Sequence, residues 1–205
     1  MKHIDFYLFR HGQTGGNFEK RILGQKYDVS LNAKGIFQAN ELSDNMRDIP
    51  LQIIFTSPLK RALETAQIIS QKNNIPFIIK DELKECNFGY AEEKLKSEIS
   101  PDELKCYLSA CKNFCFSGGE TQLAAATRLM NALNQISETS DKQYIGISTH
   151  GDIVRYLLSN FFDTLTGYSI PTLIPLHLMY EDGKFEIDKT FISYRLLIPP
   201  EKLIY

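Results

Sequence analysis

Two histidines in this 205-residue chain are each followed at once by glycine: His11 in Arg10-His11-Gly12 and His150 in Thr149-His150-Gly151. A third polar segment, Ser57 to Arg61, carries a further arginine. Each of the three follows a short apolar run of the kind that forms a buried strand. Imidazoles grouped with arginines suit chemistry on a phosphate ester. Metal-free hydrolysis of such an ester needs a nucleophile in line with phosphorus, cations on the equatorial oxygens and a proton donor for the leaving oxygen. A nucleophilic imidazole must be neutral, and nearby arginines favour that state by disfavouring another cation. Arg61 falls near a helix start, where a cation opposes the helix dipole, so an anionic partner is the simpler explanation for it. His3, at the chain start, reads as solvated, and His177 reads as a structural histidine in a hairpin strand. The metal alternative lacks ligands: no H-x-x-x-H or paired acid cluster accompanies His11 and His150.

The elements that must position these groups alternate. Ile4 to Phe9 reads as a strand, the glycine-punctuated stretch Arg10 to Gln25 as no regular element, and Leu31 to Met46 as a helix with Asn32 as its N-cap. Leu51 to Thr56 is a second strand, followed by a helix that begins at Ser57-Pro58 and runs through Ile69. Ile75 to Ile79 is a third strand. From about 82 to 119 the chain is richer in charge and cysteine and shows no clear strand. This stretch reads as an inserted helical cap, with a strong helix start at Ser100-Pro101-Asp102-Glu103. A long helix to about Ser137 follows, then a strand from Tyr144 to Thr149 and a helix from Asp152 to Phe161. Leu176 to Tyr180 and Lys184 to Ile187 read as a hairpin turning through Glu181-Asp182-Gly183. The expected fold is therefore α/β: a mainly parallel central sheet flanked by helices, with the cap and a C-terminal hairpin, in one domain spanning 1–205. In such folds ligands bind beyond the carboxyl ends of the strands. Arg10-His11, Ser57 to Arg61 and His150 should thus meet on one rim.

Leu8-Phe9-Arg10-His11-Gly12-Gln13-Thr14 with Asn17 resembles the signature of the histidine phosphatase superfamily, also called phosphoglycerate mutase-like. The likeness continues through Thr56-Ser57-Pro58-Leu59, Arg61-Ala62, Thr65-Ala66, Leu83, Glu85, Phe88-Gly89 and Glu92. It ends with Gly118-Gly119-Glu120 and Thr149-His150-Gly151, so the blocks keep the family's order from Phe6 to Leu158. The resemblance implies that His11 accepts the phosphoryl group as a covalent phosphohistidine. It implies that Arg10 and Arg61 grip the phosphoryl oxygens with their forked guanidiniums, and that His150 donates to the same oxygens or steadies the developing negative charge. Asn17 would hydrogen-bond a phosphate oxygen, and Glu85 would protonate the leaving group and then activate water. A carboxyl group beside a phosphate dianion is pushed toward its protonated form, which suits that role. Gly12 and Gly151 would let the backbone approach the substrate, with their N–H groups as further donors.

The superfamily holds both mutases and phosphatases, so the fold alone does not choose. Mutases of the family typically carry Arg then His after the acidic residue, whereas Cys86 and Asn87 stand here. Losing those cations weakens binding of a carboxylated, doubly charged substrate. Phe88-Gly89 with Glu92 is closer to the phosphatases similar to fructose-2,6-bisphosphatase and α-ribazole phosphatase. Ala91 and Glu93 depart from that pattern, where an aromatic residue and a glycine are usual. The expected activity is metal-independent hydrolysis of a small phosphorylated metabolite, without a cofactor. Phosphoglycerate mutase, a protein phosphohistidine or phosphotyrosine phosphatase, and an inactive phosphate-binding module are the alternatives.

Composition narrows the classes further. With 23 basic and 25 acidic residues the net charge is -2, without the basic excess of a nucleic-acid binder. The apolar stretch at the N-terminus is too short for a signal peptide, and nothing resembles a membrane span, so a cytoplasmic protein is expected. Oligomeric state leaves no mark in the sequence. The four cysteines, Cys86, Cys106, Cys111 and Cys115, form no C-x-x-C pair and read as small hydrophobes. Cys111 and Cys115 are expected to share a helix face, and Cys86 is a candidate for oxidation beside Glu85. Among the cap lysines Lys84, Lys94, Lys96, Lys105 and Lys112, a solvated face is the default and a second anionic group on the substrate the alternative.

Overall fold

β1, His3–Arg10, sends alternate side chains into two apolar layers: Phe6 and Leu8 join one core, Tyr7 and Phe9 the other. A strand buried on both faces reads as a continuous apolar run, which is why this one lacks polar alternation. The computed structural model describes residues 2–109, 111–162 and 170–188. The expected unit of 1–205 therefore extends outside the described residues at 1, 110, 163–169 and 189–205.

Elements follow in the order β1, α1 (Gly15–Phe18), α2 (Ala33–Asn45), β2 (Ile53–Thr56), α3 (Lys60–Asn73) and β3 (Phe77–Ile79). Then come α4 (Pro101–Leu108), α5 (Gln122–Thr139), β4 (Tyr144–Thr149), α6 (Gly151–Phe161), β5 (Leu176–Glu181) and β6 (Lys184–Ile187). The six strands form one sheet in the order β3-β2-β4-β1-β5-β6. Pairings among β3, β2, β4 and β1 are parallel, and β5 and β6 add antiparallel. The mixed sheet flanked by helices matches the expected α/β class, with the hairpin as its antiparallel edge. α2 and α3 cover one face through Leu42, Ala66 and Ile69, and α5 and α6 cover the other through Leu129, Leu133, Val154 and Leu157. Each fully buried aliphatic side chain there contributes about 1.5–3 kcal/mol.

Three local expectations are corrected. Arg10 to Gln25 was expected to contain no regular element, yet Thr14 and Asn17 close a capping box around the short α1. α3 begins at Lys60, after Pro58, because Ser57 Oγ accepts the Leu59 N–H at 3.3 Å and holds Ser57 to Leu59 as a turn. The cap is less helical than expected. It consists of single turns at Asp81–Leu83, Gly89–Ala91 and Lys96–Glu98, plus α4 alone, and residues 111–115 are not helical. Cys111 and Cys115 therefore do not share a helix face. Gly89, at φ +52°, and Glu93, at φ +72°, break any continuous helix there.

Candidate active site

Parallel register brings the three polar segments to one edge. Arg10 pairs with Thr149, and Thr56 with Ser148, so the strands end at the same level. The ladder then runs one step further: His11 N–H donates to Thr149 O at 3.2 Å, and Ser57 N–H to Ser148 O at 3.0 Å. His11 and His150 consequently meet edge to face, with ring centroids 5.2 Å apart.

His11 is buried, and its partners fix its tautomer. Nδ1 lies 2.7 Å from Gly12 O, which only accepts, while Arg61 Nε, which only donates, lies 3.2 Å from Nε2. The proton is therefore on Nδ1, and Nε2 carries the lone pair. Burial, then Arg61, then Arg10, hold its pKa well below the usual imidazole value. A neutral imidazole with an oriented Nε2 is the nucleophilic form.

Arg61 is fully buried at the start of α3. Its Nη2 donates to Gly24 O at 2.7 Å, while Nη1 stands 3.9 Å from Asp28 Oδ1 without a hydrogen bond. Burial lowers its pKa to about 10, against the pull of Glu85 and Asp28, so it stays a cation at neutral pH. Arg10 Nε is likewise buried without a hydrogen-bond partner, and so is His150 Nδ1. Buried polar groups normally find partners. These three nitrogens, on residues flanking His11, form a set able to receive an anion's oxygens.

Ser57, just past the end of β2, orients His150. It accepts from Leu59 N–H and has its own proton to give His150 Nε2, at 2.8 Å. That arrangement leaves the His150 proton on Nδ1. Burial, then Arg61, keeps this ring neutral as well. Ser57→Ala is expected to lower kcat about two- to tenfold while sparing the fold, the scale of one lost hydrogen bond of about 0.5–1.5 kcal/mol. Steady-state kinetics with thermal melts checks this.

Glu85 comes from the cap and reaches the N-terminus of α6. Its Oε1 accepts from Ile153 N–H at 2.8 Å and Cys86 N–H at 2.9 Å, and its Oε2 from Asp152 N–H at 3.2 Å. Burial, then the Asp152 carboxylate, raises its pKa to about 7, outweighing these hydrogen bonds and Arg61. A carboxyl group poised near neutrality is suited to giving and taking a proton.

The remaining expected residues are placed differently. Asn17 Oδ1 is occupied by Thr14 in the capping box, leaving Nδ2 as the side chain's donor. Gly12 N–H donates to Thr65 Oγ1 at 3.2 Å, so it is not offered to a substrate, which corrects the expected role. Gly12 is needed instead for packing: a Cβ there would lie 2.3 Å from Gly35 O. A Cβ on Gly151 would lie 3.1 Å from Arg10 Nε, so this glycine makes room for the guanidinium. Cys86 is buried and its thiol pKa is pushed far up, by burial and then by Glu120 and Glu85, which removes it as a reactive thiol.

Several supporting groups were not singled out from sequence. Arg128 donates to the carbonyls of Glu82, Lys84 and Glu85 at 2.7, 2.9 and 3.2 Å and pairs with Glu120 at 2.6 Å. Gln25 donates to Glu85 O at 2.7 Å. Asp28 accepts the Lys60 N–H at 2.8 Å in place of a capping side chain on α3. Their signal was indirect. Leu59 and His150 stand at N-cap positions that ordinarily take Ser, Thr, Asp or Asn, and neither makes a side-chain cap. Such gaps mark helix starts served by groups from elsewhere.

Among the described residues no group of His, Cys, Asp or Glu could hold a metal ion, and no helix is long and apolar enough to cross a membrane.

Comparison with known proteins adds four findings. The profile described as Histidine phosphatase superfamily (branch 1) matches residues 6–189. Among curated proteins, one named uncharacterized phosphatase PhoE, from Bacillus subtilis, is 33% identical over 155 residues, 74% of either chain. One named probable phosphoglycerate mutase GpmB, from Erwinia tasmaniensis, is 29% identical over 159 residues, 76% of this chain and 74% of its own. Among solved structures, a phosphoglycerate mutase from Bacillus anthracis superposes with a TM-score of 0.81 at 22% identity, covering 94% of this chain and 96% of its own. That last likeness speaks to the fold.

Proposed function

The chain belongs to the histidine phosphatase superfamily (branch 1), and from that premise we propose that it hydrolyses a small phosphate monoester through a phosphohistidine on His11. The observation that carries this reading is the His11 Nε2 lone pair, fixed by Gly12 O and Arg61 Nε beside the unpartnered nitrogens of Arg10, Arg61 and His150. In this reading the phosphoryl oxygens take the donors of Arg10, Arg61 and His150, with Asn17 Nδ2 as a further one. Arg61 Nε turns from Nε2 to an oxygen as Nε2 attacks phosphorus in line with the leaving oxygen. Glu85 gives that oxygen its proton. It then takes a proton from the water that attacks the phosphohistidine, which returns His11 to its starting state.

Hydrolysis is favoured over phosphoryl isomerisation by Cys86 and Asn87, which offer no cation where the mutases carry Arg and His. A screen of phosphorylated metabolites, read as released inorganic phosphate, tests the reading. It includes 3-phosphoglycerate with and without 2,3-bisphosphoglycerate. Phosphate release from a small ester supports it. Isomerisation without release, preference for a phosphorylated protein, or binding without turnover each replaces it with the corresponding alternative.

Lys96 favours a substrate with a second anionic group. Burial, which outweighs the pull of Asp152, lowers its pKa, and Arg10, Arg155 and Lys20 act the same way. A half-buried ammonium among other cations is stabilised by an added anion. Lys96→Met is expected to raise KM about tenfold or more for a doubly anionic substrate, the scale of a charge-assisted hydrogen bond. It should leave KM for p-nitrophenyl phosphate within about twofold. Equal changes on both substrates would remove Lys96 from substrate recognition.

A further inference from the structure

Glu92 has no part in the chemistry above, yet it is buried and both its carboxylate oxygens are engaged by backbone. Oε2 accepts from Lys26 N–H and, at 3.3 Å, from Tyr27 N–H. Oε1 accepts from Phe88 N–H at 3.1 Å. One cap side chain thus ties the 24–28 loop to the cap backbone shortly after Glu85. Gly24 shows how close this clamp is. It sits at φ +63°, and a Cβ there would lie 2.2 Å from Glu92 Cδ. Any side chain at Gly24 would push the loop and the carboxylate apart.

The clamped loop carries the hold on Arg61. Gly24 O accepts from Arg61 Nη2 at 2.7 Å, and Asp28 accepts the Lys60 N–H at the start of α3. Arg61 Nε is thereby left on His11 Nε2 at 3.2 Å, with Nη1 free of any hydrogen bond. Gly24 O and the His11 lone pair are the two acceptors that orient the guanidinium. Glu85 depends on the loop less. Gln25 donates to its carbonyl at 2.7 Å, but Arg128 donates to the same carbonyl at 3.2 Å.

We propose that Glu92 is a positioning residue: its carboxylate clamps the 24–28 loop to the cap and, through Gly24 O, holds the Arg61 guanidinium on His11 Nε2. The effect on hydrolysis rests on the function proposed above; the hold on Arg61 does not. When Arg61 Nε turns from His11 to a phosphoryl oxygen, Gly24 O stays as the protein's grip on the fork. A loop free to drift lets that fork drift with it. Catalytic groups need placement to within about 0.5 Å, so loosening Glu92 is felt at the phosphate. Glu92→Gln is the informative change. An amide has one accepting end, so whichever way it turns, either the loop or Phe88 loses its acceptor.

The test compares the whole protein with Glu92→Gln, Gly24→Ala and the double variant, all measured well below their melting temperatures. In Glu92→Gln, kcat/KM is expected to fall about 10- to 100-fold, the scale of a small misplacement near the reacting atoms. The loss should be similar for an alkyl phosphate and for p-nitrophenyl phosphate, because Arg61 serves both. Affinity for inorganic phosphate should drop about tenfold, the scale of a hydrogen bond to a charged group. Gly24→Ala presses on the same carboxylate and gives the same pattern, and the double variant loses little more than either alone. A merely structural loss looks different: Leu133→Ala, a cavity under α5, lowers the melting temperature without moving KM or phosphate affinity. One readout needs no ligand. The Arg61 Nε–H, identified as the NMR resonance missing from Arg61→Lys, should exchange with solvent about tenfold faster or more in both single variants. Parent-like phosphate affinity and Nε–H exchange in folded Glu92→Gln overturn the proposal. A loss confined to alkyl phosphates also overturns it, assigning the effect to Glu85 through Gln25. If the parent hydrolyses no phosphate ester yet both variants release the Arg61 Nε–H, the proposed function fails while the clamp stands.

Discussion

Replacing His11 with alanine is expected to abolish turnover, by about 10⁴-fold or more, on every phosphate ester the parent cleaves. The size follows from the role. Arg10, Arg61 and His150 stabilise charge, but none of them offers a lone pair aimed where Nε2 of His11 is aimed. Without it the remaining donors bind phosphate and transfer nothing. The variant should therefore keep its affinity for inorganic phosphate within a small factor while losing catalysis. Loss of the phosphoenzyme is the more specific readout. Rapid alkaline quenching of the parent with substrate should trap an acid-labile phosphohistidine, and the same quench of His11→Ala should trap none. Parent-like hydrolysis in the variant would end the scheme.

Much of this arrangement is legible from spacing alone. Arg10-His11, Ser57 and His150 each follow an apolar run, and a parallel sheet with matched strand ends leaves them nowhere to go but one rim. The cap was harder to read. Its charge, its lack of a strand and its one strong helix start suggest a helical insert, yet Gly89 and Glu93 at positive φ leave single turns ahead of α4. Gly12 carries another lesson. Its position beside His11 suggests a role toward substrate, yet the Gly35 carbonyl, brought close only by tertiary packing, is what excludes a side chain there. Asp152 and Arg155 look like an ordinary intrahelical pair on a largely buried helix. Only the fold reveals that they join Tyr107 of the cap to the seat of Glu85.

Glu85→Gln separates the leaving-group proton from the rest of the chemistry, and its expected effect depends on the substrate. Alkyl phosphates leave as strongly basic oxygens and need the proton, so their kcat should fall about 10²–10⁴-fold, the usual contribution of a general acid. For p-nitrophenyl phosphate the leaving oxygen is weakly basic, and the loss in the first step should be far smaller. The pH dependence follows from the same assignments. Glu85 is active in that step as the protonated form, and burial with the nearby Asp152 sets its pKa to about 7. In the parent, kcat/KM for an alkyl phosphate should therefore decline as pH rises through neutrality, because the acid form is lost above that pKa. His11 acts as the neutral form, and its depressed pKa keeps it so down to pH values well below 6.5. The acid limb should accordingly lie well below the alkaline one. A bound phosphate dianion pushes Glu85 further toward its protonated form, so the decline in kcat should come at higher pH than the decline in kcat/KM. In Glu85→Gln the neutral amide cannot lose the proton, and the alkaline limb for alkyl phosphates should vanish along with most of the rate. Equal losses on both substrate classes, or an alkaline limb that survives the substitution, would assign the proton to another group.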